Sequence, residues 1–184
     1  MKKIIAALII SLAITPAYAG MYVSGHGGIE KTGFSKMEGK SYKTKHAIVK
    51  SIKIGYDFDR VRIEGDIFES DSKIFGDVYY PYNLEIAGFG VSGMLKIIQY
   101  KDISFFAGAG ISRISVGTSY NQKFPKVRNY AGSCIRSGII AVIEYDITKK
   151  LSAELTAKVN PEFSVDDLDF DKSKSILIGL KYNF

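Results

Sequence analysis

The sequence of 184 residues contains a single cysteine, Cys134, and no tryptophan. One cysteine excludes a disulfide within the chain and a zinc site built from several cysteines. Beyond the first nineteen residues there is no apolar run of the roughly 20 residues that a membrane-spanning helix needs. Because 46% of the residues are hydrophobic, the chain is not disordered, and its length suits one domain.

A large excess of charge of one sign, concentrated in one region, is also lacking. The formal net charge is +6, and the basic residues are spread along the whole chain. Nucleic-acid binding is therefore not predicted, because it requires a basic stripe or patch. Asp167, Asp169 and Asp171 have the spacing that opens a calcium loop, but Lys172 and Ile178 stand where such a loop has Gly and Glu. No metal or cofactor is expected.

The first nineteen residues predict an export signal. Lys2 and Lys3 are followed by the apolar run Ile4–Ile14, interrupted only by Ser11, and then by the small-x-small sequence Ala17-Tyr18-Ala19. A positive start, an apolar core and such a cleavage site are typical of a secretory signal peptide. We expect cleavage after Ala19, which leaves residues 20–184 as one domain outside the cytoplasm.

Almost all of that domain alternates apolar and polar residues with a period of two, which predicts β-strands. Eight strands are predicted, at residues 20–30, 46–56, 60–70, 83–98, 103–116, 130–145, 151–159 and 174–184. The long connections between them are residues 31–45, 71–82, 117–129 and 160–173, and short ones alternate with these. Proline removes a hydrogen-bond donor from a sheet, and the prolines of this domain all lie in long connections: Pro81, Pro125 and Pro161.

Eight such strands close as a barrel in one of two ways. A soluble ligand-binding barrel has its apolar face inside, whereas an outer-membrane barrel turns its apolar face outward to lipid. The alternation of long and short connections favours the membrane form. Aromatic residues near the short turns and the C-terminus, which suit an interfacial girdle, also favour it: Tyr56, Phe58, Tyr100, Phe105, Tyr145, Tyr182 and Phe184.

The polar face of the strands carries charges of both signs. Buried charges have to be paired, and a mixture of acids and bases on one face allows a network of ion pairs inside the barrel. The residues predicted in this lumenal charge network are Arg62, Glu64, Asp66, Glu144, Glu154, Lys158 and Lys181. An eight-stranded barrel is only wide enough to be filled by side chains, so a general diffusion pore is not expected.

Three stretches carry a resemblance to a known family: Phe105–Ile111 (FFAGAGI), Ile140–Leu155 (IAVIEYDITKKLSAEL) and Leu180–Phe184 (LKYNF). In these the chain resembles the small bacterial outer-membrane β-barrels of the opacity-protein and OmpX-like surface antigens. The resemblance implies an all-β, eight-stranded antiparallel up-and-down barrel that spans the outer membrane of a Gram-negative bacterium. It also implies that Tyr182 and Phe184 belong to the signal read by the barrel-assembly machinery.

Two of the long connections are basic and predict a patch at the cell surface. Its candidate residues are Lys40, Lys43, Lys45, Lys123, Lys126 and Arg128. If these loops emerge together, the patch suits lipopolysaccharide phosphates or an acidic host ligand. Ordinary surface charge is the alternative.

An enzyme is not predicted. The lipid A deacylases among eight-stranded barrels use a serine two residues after a histidine, and neither His26 nor His46 is followed by serine at that spacing. Cys134 is expected in the wall as a small residue. We therefore expect a non-enzymatic outer-membrane surface protein of the antigen or adhesin class, with loops that contact the host or environment. The alternatives are a purely structural barrel, a lipid A-modifying barrel enzyme and a soluble lipocalin-like periplasmic binder.

Overall fold

The computed structural model describes residues 20–32, 34–37, 40–44, 46–75, 82–119, 131–165 and 168–184. The predicted signal peptide, residues 1–19, lies outside these ranges, as do parts of the long connections. Within the ranges, no helix is long and apolar enough to cross a membrane.

Antiparallel strands make up nearly all of the described chain. They are β1 (Met21–Lys31), β2 (Phe34–Met37), β3 (Lys40–Thr44), β4 (Ala47–Phe58), β5 (Val61–Phe75), β6 (Tyr82–Tyr100), β7 (Ile103–Ser119), β8 (Ala131–Asp146), β9 (Leu151–Asn160), β10 (Phe163–Val165), β11 (Leu168–Phe170) and β12 (Ser173–Asn183). The eight long strands pair in the order β1, β4, β5, β6, β7, β8, β9 and β12, and β12 returns to β1. The predicted eight-stranded barrel is therefore confirmed.

The strands of the barrel are staggered. We follow the register partners from strand to strand, starting at Ile86 on β6. After one turn around the barrel this path reaches β6 again at Lys96, ten residues further along the chain. Such a stagger tilts the strands relative to the barrel axis. Closure also removes free strand edges, which matters in lipid because each unpaired backbone group there costs on the order of several kcal/mol.

The wall of the barrel has its apolar face outside. Ile139 and Ile67 are each 70% exposed although they lie in the middle of long strands. The inward side chains of Arg62, Glu154 and Lys181, by contrast, are buried. A continuous apolar surface of this kind is suited to lipid and not to water. The lipocalin-like alternative is wrong, because it requires the opposite orientation of the strands.

The two ends of the barrel differ. At one end, which we call the turn end, short turns at residues 59–60, 101–102 and 147–150 join neighbouring strands. Both termini of the described chain lie there, since Gly20 accepts a hydrogen bond from Asp57 N and Phe184 N donates to Met21 O. The opposite end, the loop end, carries the long connections. Short turns of outer-membrane barrels face the periplasm, so the loop end faces the cell exterior.

Aromatic side chains surround the turn end, as predicted. The rings of Tyr56 and Phe58 lie 4.4 Å apart between centroids, and Tyr182 and Phe184 make an edge-to-face contact at 5.5 Å. Other exposed aromatic residues of this girdle are Tyr100, Phe105 and Tyr145. In membrane barrels such girdles mark the boundary between hydrocarbon and water.

The strands at the loop end extend further than predicted. β5 continues to Phe75 and β7 to Ser119, whereas the predicted ends were residues 70 and 116. The short strands β2, β3, β10 and β11 lie in connections that were predicted as loops. The prediction was wrong here because it followed side-chain alternation, while backbone hydrogen bonds continue a strand pair beyond the apolar belt whatever its side chains.

These four short strands form a small sheet above the barrel, which we call the outer sheet. β10 pairs with β11, β11 with β2, and β2 with β3. β3 then pairs with β5 of the barrel wall at Lys43 and Thr44. The first and last long connections are therefore held together and joined to the barrel.

Candidate functional site: the barrel interior and its outer end

Arg62 on β5 is the centre of the ion pairs at the turn end of the interior. Its Nε donates to Asp57 Oδ1 at 2.6 Å, its Nη1 donates to Glu154 Oε1 at 2.8 Å, and its Nη2 contacts Glu144 Oε2. The guanidinium carbon lies 3.9 Å from the centroid of the Phe106 ring. One buried cation thus joins carboxylates from β4, β8 and β9, and hydrogen bonds between charged groups are among the strongest in proteins.

Lys181 on β12 brings a second cation to the same carboxylates. Its Nζ lies 3.0 Å from Asp57 Oδ2 and 2.6 Å from Glu144 Oε1. Removing charges from water is costly unless they are paired and hydrogen-bonded. Arg62, Lys181, Asp57, Glu144 and Glu154, which we call the Arg62 group, therefore depend on one another.

His26 on β1 reaches the Arg62 group across β12. Its Nε2 lies 3.0 Å from Glu154 Oε2 on β9. Gly179 of β12 is the register partner of both His26 and Glu154, and a Cβ at Gly179 would lie 2.3 Å from His26 Cδ2. The glycine leaves the space through which the imidazole passes.

Tyr22 on β1 makes the same kind of contact in the other direction around the barrel. Its hydroxyl donates to Glu64 Oε2 on β5 at 2.8 Å. The ring crosses Gly55 of β4, where a Cβ would lie 2.3 Å from Tyr22 Cζ. Glu64 is further held by Lys53 Nζ at 3.0 Å and by the hydroxyl of Ser92 at 3.2 Å.

Two looser pairs lie further toward the loop end. Arg136 Nη1 is 3.3 Å from Glu30 Oε1, and Lys158 Nζ is 4.0 Å from Asp66 Oδ2. They surround an interior cavity of about 30 Å³, which has room for about two water molecules. The interior of the described barrel is therefore filled and does not form a pore.

All seven residues of the predicted lumenal charge network point into the barrel. Asp57 and Arg136 also belong to this network, but the prediction from the sequence did not include them. Asp57 lies four residues after Lys53 and therefore on the same face, but the predicted strand ended at residue 56. Arg136 lies eight residues before Glu144, so the same alternation would have identified it.

The loop end of the interior is apolar and closed by the outer sheet. Val165 of β10 and Phe170 of β11 are buried in a cluster formed with wall residues of β5, β6 and β7. The rings of Phe163 and Phe170 stack at 4.5 Å with an interplanar angle of 6°. The wall members of this cluster are Phe68, Leu84, Ile86, Ile114 and Val116, with Cys134 packed against it. Cys134 lies in β8, inside the wall as expected.

The predicted basic patch lies mostly outside the described residues. Lys40 and Lys43 belong to β3 of the outer sheet. The remaining candidates, Lys45, Lys123, Lys126 and Arg128, are not among the described residues. The location of β3 puts the first basic connection at the loop end, on the face that points out of the cell.

The two histidines have different surroundings. Among the described residues, Glu154 is the hydrogen-bond partner of the buried His26 ring, and His26 Nδ1 has no partner. Glu154 is also bonded to Arg62. His46 is exposed and directly precedes β4. Asp167 of the acidic loop is not described, and Asp169 accepts a hydrogen bond from Ser164 at 2.7 Å.

Comparison with known proteins supports the fold. No family model and no curated protein matches the sequence, but solved structures do. Neisserial surface protein A is similar at 16% identity, over 90% of this chain and 97% of that one, with a TM-score of 0.71. The chain has the fold of a small outer-membrane barrel.

Two further structures agree with this conclusion. Ail, the attachment invasion locus protein of Yersinia pestis, is 14% identical over 90% of this chain and 99% of that one, with a TM-score of 0.55. The outer membrane protein OprG of Pseudomonas aeruginosa is 12% identical over 91% and 97%, with a TM-score of 0.60. The shared fold and the apolar outer wall are those of a barrel that lies in the outer membrane.

Proposed function

We propose that this barrel is a non-enzymatic surface protein whose outer loops bind an acidic ligand, in the antigen or adhesin class. The observation that carries the proposal is the outer sheet, which continues the wall beyond the apolar belt and joins the first and last long connections. A sheet fixed to a closed barrel is a rigid support for binding loops.

The charge of the first connection supports an acidic ligand. Residues 32–45 contain four lysines and one glutamate, and β2 and β3 lie in this segment at the loop end. One Ail structure, similar at a TM-score of 0.52 and 14% identity, is in complex with the heparin analogue sucrose octasulfate. A sulfated or phosphorylated polymer is therefore the ligand class we favour for this surface.

The absence of enzymatic activity is part of the proposal. His26 is buried among charged partners and is not hydrogen-bonded to any hydroxyl or thiol of the described chain. Activation of a nucleophile needs such a contact with a base. The Arg62 group is instead arranged so that its carboxylates are neutralised, which favours a structural role.

The test is heparin binding by intact protein in proteoliposomes. The variant Lys40→Gln/Lys43→Gln/Lys45→Gln removes three charges from the first connection. The matched control Lys101→Gln/Lys149→Gln/Lys150→Gln removes three exposed charges from the turn end. We expect the loop variant to bind roughly tenfold more weakly, with binding that weakens in salt, and the control to bind normally. Equal binding by all three proteins would show that the first connection is not the binding surface, and absence of binding by the unaltered protein would favour a purely structural barrel.

A further inference from the structure

We propose that the outer wall carries a binding site for a phosphorylated lipid of the outer leaflet. Lys31, Lys174 and Lys172 would hold the phosphate, and an acyl chain would lie in the groove beside them. The site is on the membrane-facing wall, so the inference goes beyond the proposed loop function and does not depend on it.

Two lysines oppose each other on the outer wall. Lys31 of β1 and Lys174 of β12 are register partners, and both are exposed. Like charges directly opposite in a sheet are destabilising. On the next two strands, β4 and β5, Lys50 is instead paired with Glu69 at 3.5 Å. Neither Lys31 nor Lys174 has an ion pair within the described part of the chain. An anion from outside the protein would remove this repulsion.

The position of the lysine pair matches the level of lipid headgroups. The next outward pair toward the turn end is Ile29 and Ile176, which are also register partners and are 52% and 55% exposed. The apolar part of the outer wall thus begins two residues from the lysine pair, on its turn-end side. Lysines at the boundary of the hydrocarbon region place their charges among headgroups.

An apolar groove of about 630 Å³ adjoins this pair. Ala109 and Ser137 are small residues along it, while Ile111, Ile139 and Val159 are larger. Val159 is the register partner of Lys174, so the groove and the lysine pair are continuous.

The basic and apolar parts fit one amphiphilic ligand. Lys172 lies at the edge of the groove, two residues from Lys174, and adds a third exposed ammonium. The nearby exposed Asp171 makes no ion pair with these lysines among the described residues. Phosphate on the lysines with a hydrocarbon chain in the groove uses both features, whereas inorganic phosphate would use only the first. We therefore assign the site to a phosphorylated glycolipid of the outer leaflet with its phosphate at the interface.

The test is native mass spectrometry of the folded barrel released from detergent. Diphosphorylated lipid A, the same lipid without phosphate, and inorganic phosphate are the three probes. We expect retention of diphosphorylated lipid A, about tenfold less of the dephosphorylated lipid, and no retained inorganic phosphate. Equal retention of both lipids, or retention of inorganic phosphate alone, would overturn the proposal.

Matched variants locate the site. Lys31→Gln/Lys174→Gln should lose about tenfold of lipid A retention, whereas the control Lys101→Gln/Lys149→Gln, with the same charge change at the turn end, should retain it. Ser137→Leu fills the groove without changing charge and should also reduce retention. All these side chains are exposed, and the mobility difference between unheated and boiled samples verifies folding. Unchanged retention in both the lysine and the groove variants would contradict the assignment.

Discussion

His26 on β1 and Glu154 on β9 contact each other across the strand that separates them, with Nε2 3.0 Å from Oε2. The separating strand is β12, the last of the chain, and β1 is the first. The contact therefore spans the closing seam of the barrel. Lys181 of β12 also reaches Asp57 of β4 across β1. The interior ion pairs thus join strands on both sides of the seam that closes the wall.

The first prediction concerns Gly179, which makes the contact across the seam possible. In Gly179→Ala the new Cβ would lie 2.3 Å from His26 Cδ2 and 2.6 Å from Gly25 O. Overpacking of this kind costs about 1–3 kcal/mol, so we expect the free energy of unfolding in detergent to fall by that amount. Gly27→Ala on β1 is the control, since a Cβ there has nothing within 4 Å. Equal stability of both variants would show that the imidazole does not need this space.

The second prediction concerns Arg62. Arg62→Met leaves Asp57, Glu144 and Glu154 with less cationic compensation. Breaking a buried ion pair from one side costs on the order of 3–5 kcal/mol, so we expect a large loss of folded barrel. Arg60→Met, two residues away in an exposed turn, removes the same charge and should leave the urea midpoint unchanged. Adding Glu154→Gln to Arg62→Met should recover part of the loss.

The third prediction concerns the end of the chain. Phe184 N donates to Met21 O across the seam, and its ring contacts Tyr182. We propose that this aromatic end is read during assembly, so removal of Phe184 should lower the amount of folded protein in the outer membrane. Phe184→Tyr keeps the ring and should assemble normally. Wild-type levels of the truncated chain would contradict this role of Phe184.

The fourth prediction concerns conduction. The interior is blocked twice, by the Arg62 group and by the apolar cluster at the loop end. We expect no steady ion current in planar bilayers. Replacing residues 163–170 with a glycine-serine linker opens the outer end but leaves the Arg62 group intact, so the current should remain absent. A stable conductance of the unaltered barrel would refute the filled interior.

The sequence predicts the barrel well because lipid imposes a period-two pattern on every wall strand. The seven charged residues of the predicted lumenal network, which include Arg62 and Lys181, follow from that alternation alone. The passage of the His26 ring across Gly179 does not follow from the alternation, because it depends on which residues of β1, β12 and β9 are register partners. The outer sheet was missed because β2, β3, β10 and β11 are held by backbone pairing, which side-chain periodicity does not record. The pairing of Lys31 with Lys174 on the outer wall could likewise not be predicted, because it depends on the register of β1 against β12.

The outward orientation of the apolar face is the central claim, and spin-label accessibility along β12 tests it most directly. Cysteines replace residues 174, 176, 178, 180 and 182 one at a time in a Cys134→Ser background, and the labelled proteins are reconstituted in bilayers. We predict that oxygen accessibility is highest at Ile178, and that a water-soluble nickel complex reaches Lys174 and Tyr182 but not Ile178. Access of the nickel complex to Ile178 as free as its access to Lys174 would contradict a lipid-facing wall.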